Sequence, residues 1–160
     1  MSIKVMTKED FKLFWPIFSR IVKDQETYAY DVNIDFEDAY TLWCEVPLRT
    51  FIFEQNGKIC GSYYIKSNSA SHRNPICNCG YIVDPLFKNQ GIAKKLCKHS
   101  QNIARELGFK AMQFNAVVST NVVAVYLWQK MGFKIIETLP NVYEHKNLGL
   151  VDCYVMYKEL

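Results

Sequence analysis

No apolar stretch in this chain approaches the roughly 18 residues that a membrane-spanning helix requires, so no membrane partner is expected. Met1 to Asp10 interleaves charge with single apolar residues instead of forming a targeting leader, and a cytoplasmic, soluble protein is the expectation. An excess of one charge is also missing. Nineteen Lys and Arg face sixteen Asp and Glu, a net charge of +3, too little for a nucleic-acid binder whose affinity comes from neutralising many phosphates. Repeats, low-complexity tracts and linkers are absent, and neither G-x-G-x-x-G nor G-x-x-x-x-G-K-[ST] occurs, which removes the main support for a NAD or ATP site. Six cysteines are present, at 44, 60, 77, 79, 97 and 153, without the short secreted framework that makes pairing the natural expectation, so they read as reduced thiols. Cys77-Asn-Cys79 with Cys97 and His99 has the wrong spacing for the usual zinc patterns, and no metal is expected.

What is there is a core. A chain of 160 residues, 49% hydrophobic, buries roughly 70% of the surface its unfolded form exposes, which fits one domain over 1–160. Ile3 to Met6 reads as a strand, and Thr7 caps a helix spaced by Phe11, Phe14, Trp15, Phe18, Ile21 and Val22, made irregular by Pro16. Asp35 caps a second helix that ends before Pro47. Thr50 to Gln55 and Lys58 to Lys66 form a hairpin about Asn56-Gly57. Ile76 to Val83 is a strand, Gly91 to Leu107 a long amphipathic helix and Ala111 to Val118 a buried strand. Asn121 to Met131 is another helix, Phe133 to Leu139 a strand stopped by Pro140, and Leu150 to Lys158 the last strand. The order predicts an α/β (α+β) fold, with a mixed sheet of about seven strands and about four helices on its faces.

The segment from Asp84 to His99 carries the most chemistry. A strand ends, a turn follows, and Lys88-Asn89-Gln90-Gly91-Ile92-Ala93 opens the longest helix. Unpaired N–H groups of a first helical turn, with the positive end of the helix dipole, bind a pyrophosphate where small residues such as Gly91 and Ala93 allow close approach. Lys88, Lys94, Lys95 and Lys98 add four positive charges with no acid between them. The plainer alternative is a solvated helix face.

These residues resemble the coenzyme A loop of the GNAT superfamily of N-acetyltransferases, R/Q-x-x-G-x-G/A, with Lys88 standing where Arg or Gln is usual and Gly91 and Ala93 in place. Asn121-Val-Val-Ala124 through Trp128 to Gly132-Phe133 is similar to the family's N-x-x-A-x-x-x-Y-x-x-x-G-F helix. The resemblance implies acetyl-CoA as co-substrate, and a sheet splayed between the strand ending at Val83 and the strand from Ala111. Ile82 and Val83 would offer main-chain groups to the pantetheine, Lys88, Asn89, Gln90, Gly91, Ile92, Ala93 and Lys94 would hold the pyrophosphate, Asn121 would touch the pantetheine arm, and Trp128 would shape the thioester end. Read by itself, Asn121 is simply the cap of its helix.

Trp128 is the notable departure, since many family members carry there a tyrosine that protonates the departing thiolate. Tyr126 lies about 200° around the helix and cannot stand in, so it is expected to pack. The acceptor must attack as a free amine, about three pKa units above neutrality or roughly 4 kcal/mol. Candidate bases are Glu54, Asp31, His145 or a water chain, none with a local signature, while His72, His99 and His145 are each expected to be exposed. Asn78 and Asn115, within inner strands, either bond the free backbone of the splay or bind the acceptor. Among Tyr28, Tyr30, Tyr63, Tyr64 and Tyr143, strand alternation lets only one of Tyr63 and Tyr64 line the groove, and Tyr28, Tyr63 and Tyr143 are the chosen set. The resemblance implies direct acetyl transfer to a small, amino-acid-like amine, with a protein or peptide acetyltransferase and a non-catalytic acyl-CoA binder as alternatives. It also allows a homodimer. A narrower likeness around Asn115 points to the branch that includes acetyltransferases of proline-like amino acids.

Overall fold

The computed structural model describes residues 1–69 and 74–160. After β1 (Ser2–Val5), α1 (Lys8–Asp24) opens on a reciprocal cap: the Thr7 hydroxyl accepts the Asp10 N–H at 3.1 Å, and the Asp10 carboxylate accepts the Thr7 N–H at 3.0 Å. The helix runs uninterrupted through Pro16, contrary to the expected irregularity, and ends on Gln25 at φ 49°. Asp35 caps α2 (Phe36–Tyr40), which widens into one π turn over Thr41–Glu45. β2 (Arg49–Gln55) and β3 (Lys58–Ser67) join through Asn56 and Gly57, both at positive φ, as a primed turn demands. β4 (Ile76–Val83), a 3-10 turn at Pro85–Phe87, α3 (Ile92–Glu106), β5 (Ala111–Val118) and α4 (Val122–Lys130) follow, close to the predicted bounds.

The last hairpin departs from the sequence reading. β6 (Lys134–His145) passes through Pro140 instead of stopping before it, and pairs with β7 (Gly149–Glu159). Proline is tolerated because β6 is an edge strand and Pro140 falls in the interval between the pairs Leu139–Cys153 and Tyr143–Val151, where no ladder bond is asked of its nitrogen.

The seven strands lie in the order β1-β2-β3-β4-β5-β7-β6. All neighbours are antiparallel except β4 and β5, which run parallel and are paired only at Ile76–Ala111 and Cys77–Met112. Beyond Cys77 the two strands diverge, so the sheet opens at its centre. Two large cores cover its faces, beside a small third cluster of Val118, Tyr143 and Cys153. Under α3 and α4, Tyr63, Cys77, Leu96, Cys97, Met112, Phe114, Trp128 and Met156 are among the buried residues. Under α1 and α2 the buried set is Phe11, Phe14, Phe18, Val22, Trp43, Ile52, Tyr64 and Ile82 with smaller neighbours, and none of it comes from beyond Ile82.

Candidate active site

The register of β4 decides which main-chain groups face the opening. Asn68 N–H donates to the Ile76 carbonyl and Asp84 N–H to the Cys60 carbonyl, both at 2.9 Å, and the β3–β4 pairing between them has no shift. In an antiparallel ladder alternate residues bond the same neighbour, so Ile76, Asn78, Gly80, Ile82 and Asp84 turn their main chain to β3. Cys77, Cys79, Tyr81 and Val83 turn theirs to the β5 side. Ile82, expected to offer main-chain groups, is therefore committed to β3, with a side chain 2% exposed in the α1 core. Tyr81 joins Val83 on the open edge.

That edge leads to the mouth of α3. Asn89 and Gly91 take positive φ of 63° and 71°, which turn the chain into the helix. Among the described residues no acceptor receives the main-chain N–H of Asn89, Gln90, Gly91, Ile92, Ala93 or Lys94, while Lys95 N–H begins the helical series on the Gly91 carbonyl. The side chains of Lys88, Asn89, Gln90 and Lys94 are exposed, and Ile92 is buried as the hydrophobic anchor of the turn. The root of the loop is tied down separately. Asp84 Oδ1, with the side chain only 8% exposed, accepts both Arg20 Nη2 at 2.6 Å and Leu86 N–H at 3.0 Å. Nothing in the local sequence announces this contact between α1 and the loop.

On the α3 side of the opening, Tyr81 hydrogen-bonds Ser100 Oγ at 2.6 Å, and its ring lies 5.0 Å from Trp128, which also packs on Phe114 at 5.1 Å. Burial holds the Tyr81 phenol well above its ordinary pKa, so it stays protonated at neutral pH. Asn121 accepts the Ala124 N–H at 3.3 Å as the cap of α4. Tyr126 is 61% exposed with Lys130 over its ring, not packed as expected.

Tyr63 is the chief correction on the acceptor side. It is fully buried under α3, stacked on Phe51 at 5.0 Å, with its hydroxyl 2.7 Å from His99 Nδ1. Pleating sends Tyr64 to the other face, where it meets Trp43 edge-on at 4.9 Å and donates to Asn78 Oδ1 at 3.4 Å. Tyr28 and Tyr30 stack there in parallel, 5.6 Å apart. The Tyr28 hydroxyl donates to the Tyr81 carbonyl at 2.9 Å, and the Tyr143 hydroxyl donates to the Tyr28 carbonyl at 3.2 Å. Asn78 bridges the divergence, its amide donating to the Gln113 carbonyl of β5 at 2.9 Å. Asn115 is exposed at the β5 bulge, accepting Gln113 Nε2 at 2.9 Å and donating to Asn68 Oδ1 at 2.8 Å.

The candidate bases are engaged elsewhere. Glu54 pairs with Lys4 at 3.2 Å at the β1 edge, Asp31 accepts the Asn33 N–H, and His145 Nδ1 accepts the Asn147 N–H. His99 is half-buried, not exposed, and His72 lies outside the described residues. The cysteines are free thiols, five of them buried. Among the described residues no group of three or more His, Cys, Asp or Glu is placed to hold a metal ion, and no helix is long and apolar enough to cross a membrane.

With this geometry in place, the comparison with known proteins is direct. The acetyltransferase (GNAT) family matches residues 9–133, which takes in α1, the open edge of β4, the α3 mouth and α4. The chain belongs to the GNAT family. Its members are acetyl-CoA-dependent acyltransferases, and so is this protein. A GCN5-related N-acetyltransferase from Kribbella flavida is 34% identical, superposes with a TM-score of 0.93 and covers 99% of this chain and 97% of that one. N-acetyltransferase aca1 of Schizosaccharomyces pombe is 28% identical over 149 residues, covering 81% of this chain and 70% of the yeast protein. At 20% identity, yncA from Salmonella typhimurium, solved with its cofactor acetyl-CoA, shares the fold with a TM-score of 0.84 over 100% of this chain and 94% of its own. The GNAT sheet, open between its fourth and fifth strands, is thus the frame that carries the loop, the tyrosines and the amides described above.

Proposed function

We propose that residues 1–160 form one N-acetyltransferase domain that passes the acetyl group of acetyl-CoA directly to the amine of a small, amino-acid-like molecule. The observation that carries this reading is the continuity of main chain left out of strand pairing, from the Tyr81 N–H and Val83 on the open edge of β4, where only the Tyr81 carbonyl is taken by the Tyr28 hydroxyl, to the bare amides of Asn89 through Lys94. The residues fit the co-substrate. An edge of strand donors and acceptors suits the amide-containing pantetheine, and a turn of bare N–H groups at a helix start suits a pyrophosphate. Bound there, acetyl-CoA supplies an activated acyl group. Asn121 and Trp128 border the channel, and the buried, neutral Tyr81 phenol and Trp128 keep its inner end dry.

On the opposite face the acceptor meets amides and tyrosines. Each amide nitrogen carries two hydrogens, so Gln113 and Asn115 keep one N–H apiece beyond the bonds already described, an uncharged pair able to hold a carboxylate. Tyr64 replaces Tyr63 in the wall, beside Tyr28 and Tyr143. The amine sheds its proton to water held by these groups, and the leaving thiolate takes one from the acceptor ammonium or from water, since an indole at 128 cannot donate one as an acid.

Thiol release from acetyl-CoA, followed with a panel of free amino acids, tests the reading. Stimulated release is the expected result, and tight acetyl-CoA binding without stimulation by any amine would favour a non-catalytic acyl-CoA binder. Calorimetry separates the two ways of holding phosphate. Gly91→Val, which forces a branched side chain into φ 71°, weakens CoA binding about tenfold or more, against about twofold for Lys98→Ala. Equal losses would mean that lysines, not amides, bind the pyrophosphate.

A further inference from the structure

Tyr28 is bonded to two strands that are not neighbours. Its hydroxyl reaches the Tyr81 carbonyl on β4, and its carbonyl receives the Tyr143 hydroxyl from β6. β5 and β7 lie between those strands, so at roughly 4.8 Å per strand the two anchors stand on strands about 14 Å apart, before the divergence of β4 from β5 is counted. A second tie sits three residues earlier, where the Gln25 carbonyl accepts the Lys146 N–H of the β6–β7 turn at 3.1 Å. Residues 25–28 therefore cross the opening on the α1 face, fastened on both banks.

The crossing lies tight against the strand. A Cβ placed on Gly80 would stand 3.0 Å from the Tyr28 hydroxyl oxygen and 2.5 Å from the Tyr64 ring, so nothing the thickness of a peptide passes between Tyr28 and β4. Tyr30, stacked flat on Tyr28, and Trp43, edge-on to it at 5.9 Å, hold the ring from swinging away. A buried phenol resists ionisation, so the donor persists through neutral pH.

We propose that Tyr28 and Tyr143 are specificity-determining residues: together they bar the acceptor face of the opening to an extended polypeptide and restrict the acceptor to a free amine about the size of one amino acid. This rests on the reading above, in which the amine arrives on the α1 face. A residue whose chain continues past its carboxyl carbon must run where residues 25–28 already lie, whereas a free carboxylate ends at the amides of half-buried Gln113 and exposed Asn115.

The test uses three sets of acceptors, X, X-Ala and X-Ala-Ala, with X taken through the twenty amino acids, and compares kcat/KM for the wild type, Tyr143→Phe and Tyr28→Phe. Wild type is expected to prefer the best free X over its tripeptide by about 100-fold or more, and Tyr143→Phe to narrow that ratio about tenfold with the KM for acetyl-CoA within about twofold. Tyr28→Phe, which frees the β4 anchor, narrows it in the same direction. The melting temperature of each variant is measured alongside, so that a loss of folding, which would lower all three acceptors together, is seen as such and counts against the proposal. Tripeptides turned over by the wild type at the rate of free X would overturn the barrier while leaving acetyl transfer standing. No turnover with any X, at any length, would overturn the amino-acid acceptor itself.

Discussion

Gly80 has no room for a methyl group. Its added Cβ would meet Tyr64 Cε1 at 2.5 Å, and Tyr64 is held by Trp43 and Asn78 in a site only 8% exposed. Gly80→Ala is expected to cost about 1–3 kcal/mol through overpacking, lowering the melting temperature by about 3–10 °C, and to raise the acceptor KM because the Tyr28 hydroxyl is displaced from the Tyr81 carbonyl. An alanine variant that melts with the wild type would show that Tyr64 yields freely. At this scale the sequence was legible in type more than in direction. Alternation said that only one of Tyr63 and Tyr64 lines the groove, but which face α1 covers and which α3 covers is a long-range fact, and Tyr63 proved to be the one under α3. Ile82 fails for a related reason. The parity of its main chain is set by pairing with Ser62, twenty residues away in sequence and invisible in its own neighbourhood.

Among the elements, α3 depends on more than its own first turn. The Asp84 carboxylate ties the root of the loop to Arg20 on α1 and orients the Leu86 N–H, so α1 braces the cofactor loop from the opposite face of the sheet. Arg20→Gln leaves that nearly buried carboxylate without its charged partner; the expected cost is about 1–3 kcal/mol, with CoA affinity falling several-fold in calorimetry while the acceptor KM stays near wild type. Recovery with Arg20→Lys would mark the charge as the cause, and an unchanged affinity would reduce the pair to a surface contact. The elements themselves were largely readable. Thr7, Asp35 and Asn121 cap as their residue types predict, and Asn56-Gly57 makes its turn. β6 was cut short because Pro140 reads as a stop wherever a strand is paired on both sides; its tolerance comes from edge position and a gap in the ladder, which only the assembled sheet defines.

For the molecule as a whole, the clearest pH sensitivity lies in the core beneath α3. Burial lowers the pKa of His99 from its ordinary 6.5, with Glu106 acting weakly in the opposite direction, and the ring sits between Phe51 and the Tyr63 hydroxyl. The unfolded chain therefore binds this proton at a higher pH than the folded one does. The stabilisation is complete above about pH 6.5 and is lost as the pH falls through the lower folded value. The melting temperature should drop as the pH falls below about 6.5, and His99→Gln, which keeps a polar partner for Tyr63 but cannot titrate, should flatten that part of the curve. Equal slopes in both proteins would assign the sensitivity to other groups. The family and its co-substrate were legible because their chemistry resides in short stretches, the α3 mouth and the α4 helix. The strap over the acceptor face was not, since it joins Gln25, Tyr28, Tyr81, Tyr143 and Lys146 through contacts that no local pattern encodes.

The core under α1 and α2 is built entirely from residues up to Ile82, Tyr143 belonging to a separate small cluster with Val118 and Cys153. A ribosome that has released that much chain has therefore already delivered every piece of one finished hydrophobic layer, and the nascent protein can settle four strands and two helices before the rest of the sheet is translated. What arrives afterwards docks against a surface that is already solid, and the gap between β4 and β5 marks the seam between the part made first and the part made last.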